Sequence, residues 1–339
     1  MKVSRFLSLL EIWKLIDKDP ASKHILLTKK GARVSGMHIG AQKALSLELD
    51  KPMLIDGVNL TGAVKLLPPA ATLGMRQTEA SLILTAGKSR AVLRMNLATS
   101  QPEAIKVTAQ EFKSKRLRNA IPFLRSCTSG GVLQPILTGI RFSKAKKKGE
   151  IVLEATDKEV RSGRLSLKLP LNASGQVVPA ADLEQALSLM KGRVAMQFHK
   201  NHLLIRDDTT RVKITLLQGE YPDLTRLAQP KSYKNRIVLR RAQLDTAIKA
   251  AILLDSDRLV TLSIKEGSAS WVVHGQETGG FRQPIGPVKL KDIEITFDAH
   301  WLDAAQYVGD EFVLRYNDAH SPALFSGNKR LLWMGTVSK

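Results

Sequence analysis

Apolar and polar residues alternate through ILTGIRF, IVLEAT and RLSLKL, three stretches lying between positions 133 and 169. Alternation with period two predicts strands with one buried face. Elsewhere apolar positions recur three and four apart, which predicts helices. In VSRFLSLLEIWKLI, Phe6, Leu9, Leu10, Trp13 and Ile16 share a face. In QEFKSKRLRNAIPFLRSC the stripe is Phe112, Leu117, Ile121 and Leu124, with Pro122 placed to kink or restart the helix. In RRAQLDTAIKAAILL it is Leu244, Ile248 and Ile252.

These patterns recur. LILTAGKSRAVLRM, LLIRDDTTRVKITLL and ALFSGNKRLLWMGTV each read as strand, polar turn, then a second strand entered at an arginine. The three arginines, Arg90, Arg211 and Arg330, are spaced about 120 residues apart, the signature of an internal repeat. Each hairpin follows a short amphipathic helix: IDGVNLTGAVKLLP, VPAADLEQALSLMKG and FDAHWLDAAQYVGD. Leu60, Leu183 and Leu302 hold equivalent places in them. Asp56 and Asp298 suit N-caps, and Pro179 suits a first turn. The chain therefore reads as three α+β domains, 1–103, 104–230 and 231–339, each with two helices on one face of a mostly antiparallel sheet. Such an arc leaves exposed sheet edges that invite pairing with another copy.

Charge adds the partner. Lys and Arg number 52 against 31 Asp and Glu, a formal +21. An excess of that size favours polyanions and salt-sensitive phosphate binding. Aromatic residues at 5% disfavour a stacking platform for single strands, so duplex nucleic acid is expected. The candidate contacts are Lys113, Lys115, Arg116, Arg118 and Arg125 on the helix expected at 110–127. Lys14, Lys65, Lys191, Arg240, Arg241 and Lys249 occupy other polar helix faces. KAKKKG at 144–149 lies between strands and reads as a solvated turn. With no finger-spaced Cys and His and no helix-turn-helix pattern, binding should be indifferent to sequence.

The only cysteine, Cys127, excludes an internal disulfide and fits a reducing compartment. No apolar run reaches the ~18 residues that span a bilayer. The opening MKVSRFLSLLEIWKLIDKD, broken by Glu11, Lys14 and Asp17, reads as a helix of a cytoplasmic protein.

Catalytic constellations are missing. TAGKS at 85–89 resembles the end of a phosphate loop, but Leu82 stands where its first glycine belongs and the context is strand–turn–strand. His199 and His202 flank a turn with no third ligand. Asp207 and Asp208 suit the tip of a hairpin, and Asp157 and Glu159 a bend between strands. Neither a cofactor nor an enzymatic activity is expected.

At this point the residues carry a resemblance. LQPILTGIRF, IVLEATDKEVRSGRLSL, GQVVPAADLEQAL and LLIRDDTTRVKITLLQGEYPDL, in that order, resemble the middle domain of the bacterial DNA polymerase III beta subunit, the sliding clamp family. LDTAIKAAILLDSD and LLWMGTVSK resemble the first helix and last strand of its third domain, and the first third is a shortened match. The resemblance implies a homodimer closed head to tail into a ring of six domains, with helices lining a hole that holds duplex DNA. It implies a processivity factor for DNA replication that tethers polymerase and meets a clamp loader, cytoplasmic and associated with the nucleoid.

Residue by residue, Ile252 and Leu253 match the subunit-interface helix, with intradomain core as the alternative. Leu137, Thr156, Pro230, Leu332 and Met334 match an apolar pocket for partner peptides between the second and third domains. Lys158, Glu159, Val160 and Arg161 depart from the Gly-His-Arg-Leu carried there by many members, and a +21 subunit departs from their acidic exterior. These departures point to a divergent clamp, of the kind a phage or mobile element carries, or to a clamp-like scaffold or regulator that binds DNA without encircling it.

Overall fold

The computed structural model describes the chain except for residues 17–22, 37–38, 98–106, 132, 225–231, 276–278 and 338–339. Both expected domain boundaries, near 103 and 230, lie outside the described residues.

The first repeat opens with α1 (Val3–Leu10), continued by a 3-10 turn at Glu11–Leu15. Strands β1 (His24–Thr28), β2 (Gly31–Ser35), β3 (Ile39–Ala44) and β4 (Met53–Asp56) follow. Helix α2 (Gly57–Lys65) leads to β5 (Leu73–Gln77), β6 (Ser81–Ala86), β7 (Ser89–Arg94) and β8 (Asn96–Leu97).

The second repeat begins with β9 (Glu111–Lys113), α3 (Lys115–Arg118) and α4 (Ile121–Arg125), then a 3-10 turn at Pro135–Thr138. It continues with β10 (Gly139–Lys144), β11 (Glu150–Thr156), β12 (Arg161–Lys168) and β13 (Gln176–Pro179). Helix α5 (Ala180–Leu189) precedes β14 (Arg193–Phe198), β15 (His202–Arg206) and β16 (Thr210–Thr215).

The third repeat runs β17 (Asn235–Arg240), α6 (Arg241–Leu254), β18 (Leu259–Lys265), β19 (Ser268–Gly275), β20 (Gly279–Pro287) and β21 (Ile293–Asp298). Helix α7 (Ala299–Leu302), with a 3-10 turn at Asp303–Tyr307, leads to β22 (Glu311–Tyr316), β23 (Ala323–Gly327) and β24 (Arg330–Met334).

The α+β repeat stands, and its equivalences are physical. Leu60, Leu183 and Leu302 are each fully buried, a contribution of about 2 kcal/mol apiece. Asp56 caps α2 by accepting the N–H of Asn59 at 2.8 Å, and Asp298 caps α7 by accepting that of His300 at 2.7 Å. The first-helix stripes are buried as expected, except that Ile252 turns outward and the α6 stripe ends at Ala251.

Two expectations need correction. The helix at 110–127 is a strand and two short helices: Ser114 bonds Gly192 through both its N–H and its hydroxyl, which draws the segment into a sheet edge before α3 starts. Pro122 then restarts the chain as α4. Pro179 ends β13 rather than opening α5.

The chain divides into two compact units, each cutting through the second repeat. The first comprises Met1–Arg118, Pro170–Asn172 and Asp182–Leu216; the second comprises Asn119–Leu169, Ala173–Ala181 and Leu217–Lys339. Each holds one large antiparallel sheet that fuses strands of consecutive repeats. In the first unit the order is β8-β4-β1-β2-β3-β16-β15-β14-β9, fused where β3 meets β16. In the second it is β13-β10-β11-β12-β24-β23-β22-β17, fused where β12 meets β24. A smaller sheet accompanies each: β5-β6-β7 in the first unit and β20-β19-β18-β21 in the second.

Candidate nucleic-acid interface and partner site

In the first unit the cations gather around α5. The carbonyl of Lys14, on the 3-10 turn after α1, accepts the side-chain amide of Gln185 on α5. Just past the carboxyl end of α5, Arg118 Nη1 donates to the Met190 carbonyl at 3.4 Å, and the Lys191 N–H donates to the Asp207 carboxylate at 2.9 Å. Lys115 and Arg116 are exposed on α3, which Ser114 ties to the turn after α5. Cations at the carboxyl end of a helix are favoured by its dipole. Lys65 closes α2, which packs against α1. Lys113 is exposed on β9, a sheet edge rather than the helix face expected of it. Lys14, Lys65, Lys113, Lys115 and Lys191 are all exposed, and none forms an ion pair with a described residue.

The second unit differs. Arg240 ends β17 and pairs with Glu311 at 3.3 Å, while Arg241 pairs with Asp245 at 3.5 Å and Asp310 at 3.9 Å. Two cations at a helix N-terminus oppose its dipole, and these acids offset them. They are committed locally and less available to phosphate. Arg125 in the last turn of α4 and Lys249 midway along α6 are exposed.

Four of the five residues expected at a partner pocket lie in the second unit within one sheet neighbourhood. Thr156 ends β11, and its hydroxyl reaches Ser162 Oγ and the Arg161 carbonyl, both at 2.9 Å. Leu332 and Met334 on β24 stand opposite Gly163 and Arg161 of β12. Leu137 sits in the 3-10 turn before β10. All four are buried; Pro230 lies outside the described residues.

The departing segment Lys158–Arg161 folds tightly over its own start. The Asp157 carboxylate accepts the N–H groups of Glu159, Val160 and Arg161 and the Arg161 side chain, at 2.8–3.2 Å. Lys158 takes a left-handed backbone, φ +69°. Val160 accepts the Gly335 N–H at 2.9 Å. Asp157 thus serves a turn, as its place in a bend suggested.

The other chemical candidates resolve the same way. Asp207 accepts the N–H groups of Lys191, Thr209 and Thr210 at the β15–β16 turn. Gly87 and Lys88 form the β6–β7 turn, so TAGKS is not a phosphate loop. His199 and His202 stack at 4.7 Å, and no metal-holding cluster occurs among the described residues. Cys127 is fully buried and its thiol is pushed up to about 12, chiefly by desolvation, which removes it as a nucleophile at neutral pH. No helix among the described residues is long and apolar enough to cross a membrane.

Sequence reasoning missed two anchors. Arg330 donates to the carbonyls of Tyr307 and Asn119 and lies over the Phe123 ring at 5.6 Å, binding the third-repeat hairpin to the second-repeat helix. Lys43 donates to the Ser8 carbonyl at 2.6 Å and reaches Glu11 at 3.3 Å across the first unit. The repeating arginine marked the hairpins but not its role, because its acceptors are backbone atoms that no residue pattern displays.

No family model matches the chain. It is 27% identical over 247 residues to the beta sliding clamp of Streptococcus pneumoniae, covering 69% of this chain and 65% of that protein. To the beta sliding clamp of Staphylococcus aureus it is 23% identical over 307 residues, covering 81% and 80%. Among solved structures, the Bacillus subtilis DNA polymerase sliding clamp superposes with a TM-score of 0.86 at 20% identity, covering all of this chain and 98% of that one. The Helicobacter pylori beta clamp bound to a DNA ligase peptide gives 0.84 at 19% identity, covering 100% and 99%. The chain has the sliding-clamp fold and is a divergent sequence relative of the bacterial beta sliding clamps.

Proposed function

We propose that the protein is a DNA sliding clamp, a processivity factor whose two copies close head to tail around duplex DNA and tether a polymerase. The observation that carries this reading is the repeated junction. Twice within the chain, the hairpin's return strand in one repeat pairs with the third strand after the first helix of the repeat before it: β16 with β3, and β24 with β12. The same step leaves β7 and β20 without partners on that side among the described residues. Joining β7 of one copy to β20 of another, twice, completes a closed cycle of six repeats.

Side chains support the closure. Ile252 and Leu253 at the end of α6 are 60% and 81% exposed, so neither is intradomain core. Val92 on β7 is 56% exposed and lines a groove of about 450 Å³ whose walls are mixed, with Leu54, Leu93 and Met95 beside Asp56 and Arg94. Exposed apolar side chains gathered at an unpaired edge are suited to association. The lysines around α5 supply phosphate contacts without base readout. The Thr156–Met334 neighbourhood is the site offered to partner peptides, including those of polymerase and loader, and the Lys158–Arg161 turn alters which peptides it takes. Function then comes from topology, and no reaction is required of the chain.

The test uses a nicked DNA circle. Loaded protein should survive a high-salt wash on the circle and be lost once the circle is linearised. Equal loss from both templates would favour the clamp-like scaffold that binds DNA without encircling it.

A further inference from the structure

The two edges that the proposed head-to-tail pairing brings together carry the same sign of charge. Each internal junction uses five residues of the third strand after the repeat's first helix: Ile39–Lys43 against Thr210–Ile214, and Arg161–Leu165 against Arg330–Met334. In β20 the matching stretch is Gly279–Gln283. It ends at Pro284, which has no N–H to offer a neighbour, so the available ladder cannot extend further along the strand.

The register follows from the hairpins. Ser89 is the first paired residue after the β6–β7 turn, as Arg330 is after the β23–β24 turn, so the counterpart of Arg330 is Ser89 and not Arg90, with which the sequence pattern aligned it. Carrying the β12–β24 register across sets Arg90 opposite Arg282. The β3–β16 register, in which Arg211 stands opposite Gln42, gives the same pairing. Both arginines are exposed.

Each edge strand, taken with its sequence neighbours, carries more positive charge than negative. From Arg76 to Met95 the sequence holds Arg76, Lys88, Arg90 and Arg94 against Glu79 alone. From His274 to Asp292 it holds Arg282, Lys289 and Lys291 against Glu277 and Asp292. Like charges directly opposite on paired strands are destabilising, and mobile ions screen exposed pairs of this kind.

We infer that self-association through β7 and β20 is held back by like charge, so that the dimer tightens as salt is added while DNA binding weakens. The apolar contacts of Val92, Ile252 and Leu253 supply the attraction, and ions remove the opposition. A polyanion that neutralises these arginines acts in the same direction as salt. This inference rests on the head-to-tail reading above, and one experiment separates the two.

Sedimentation equilibrium of the full chain should show the dimer dissociation constant falling roughly tenfold between about 50 mM and about 500 mM sodium chloride. Arg90→Glu should form a tighter dimer at low salt, and that dimer should weaken as salt rises. Arg282→Glu, on the opposite edge, should behave alike and guards against a folding defect in the first variant. A wild-type dimer that loosens with salt, or ignores it, overturns the inference and leaves the head-to-tail reading standing. Monomers at every salt concentration, for wild type and both variants, overturn the reading and the inference together.

Discussion

The Tyr221 hydroxyl accepts the backbone N–H of Thr156 at 3.1 Å and lies 3.4 Å from the Gly139 carbonyl, which accepts from it. The GEYPDL motif thereby ties β11 to β10 beneath the candidate partner site. Burial pushes the phenol up, and the Arg141 guanidinium lies over its ring at 5.3 Å. Tyr221→Phe keeps the ring and removes the hydroxyl, leaving the Thr156 N–H buried without an acceptor. Chemical denaturation should show a loss of about 1–2 kcal/mol.

Cys127 and Gly163 form a second coupled pair. A β-carbon at Gly163 would lie 2.6 Å from Cys127 Sγ and 3.2 Å from the Phe123 ring. Gly163→Ala should therefore cost about 1–3 kcal/mol through overpacking. Adding Cys127→Ala removes the sulfur and should return part of that loss, a non-additivity that a double-mutant cycle reads directly. In the native wild type the thiol should resist alkylation at pH ~8, because desolvation keeps it protonated.

What could be read from the residues depended on how local the determinant was. The hairpins, the capping Asp56 and Asp298 and the buried Leu60, Leu183 and Leu302 are set by neighbours in sequence, and pattern alone located them. The helix expected at 110–127 failed because Ser114 finds its acceptor at Gly192, far along the chain, and periodicity does not register such a bond. The fusion of consecutive repeats into shared sheets was equally hidden: nothing in Arg161–Leu165 announces Arg330–Met334 as its neighbour. For the candidate site, residue type identified the cations but not their commitments. Arg240 and Lys249 look alike in sequence, yet only Arg240 has Glu311 beside it.

That distinction sharpens the DNA prediction. Lys14, Lys115 and Lys191 flank α5 and have no ion-pair partner among the described residues. Changing all three to Ala should weaken duplex binding equally across sequences. The salt slope of log K should fall by about 2–3, since each phosphate left unneutralised accounts for roughly 0.9. Changing Arg240 and Arg241 instead should alter the slope less, since Glu311, Asp245 and Asp310 already engage them. Fluorescence anisotropy over a range of salt concentrations measures both.

His202 offers a pH test. Burial, then Lys213 and His199, hold its imidazole below the ordinary histidine pKa, so the fold prefers the neutral ring. This contribution to stability is present above about pH 6.5 and is lost as pH falls toward the depressed folded value. Melting temperature should drop between pH ~7.5 and ~5.5, and His202→Gln should flatten that dependence over the same range.

Ile252 and Leu253 separate association from folding. Ile248, one turn earlier on α6, is 3% exposed, whereas Leu253 is 81% exposed. The α6 core stripe of Leu244, Ala247, Ile248 and Ala251 is complete without Ile252 and Leu253, so removing those two side chains should leave the packing of the second unit unchanged. Leu253→Asp should change unfolding free energy of the isolated chain by no more than about 0.5 kcal/mol. If the residue anchors a second copy in the groove beside Val92, the same change should raise the dimer dissociation constant roughly a hundredfold. Ile252→Asp should act in the same direction, while Val238→Asp, an equally exposed apolar position on β17, should not. Sedimentation of the three variants beside wild type reads association, and denaturation at low protein concentration reads folding. A shift in denaturation midpoint without a shift in association would place Leu253 in the fold of its own chain.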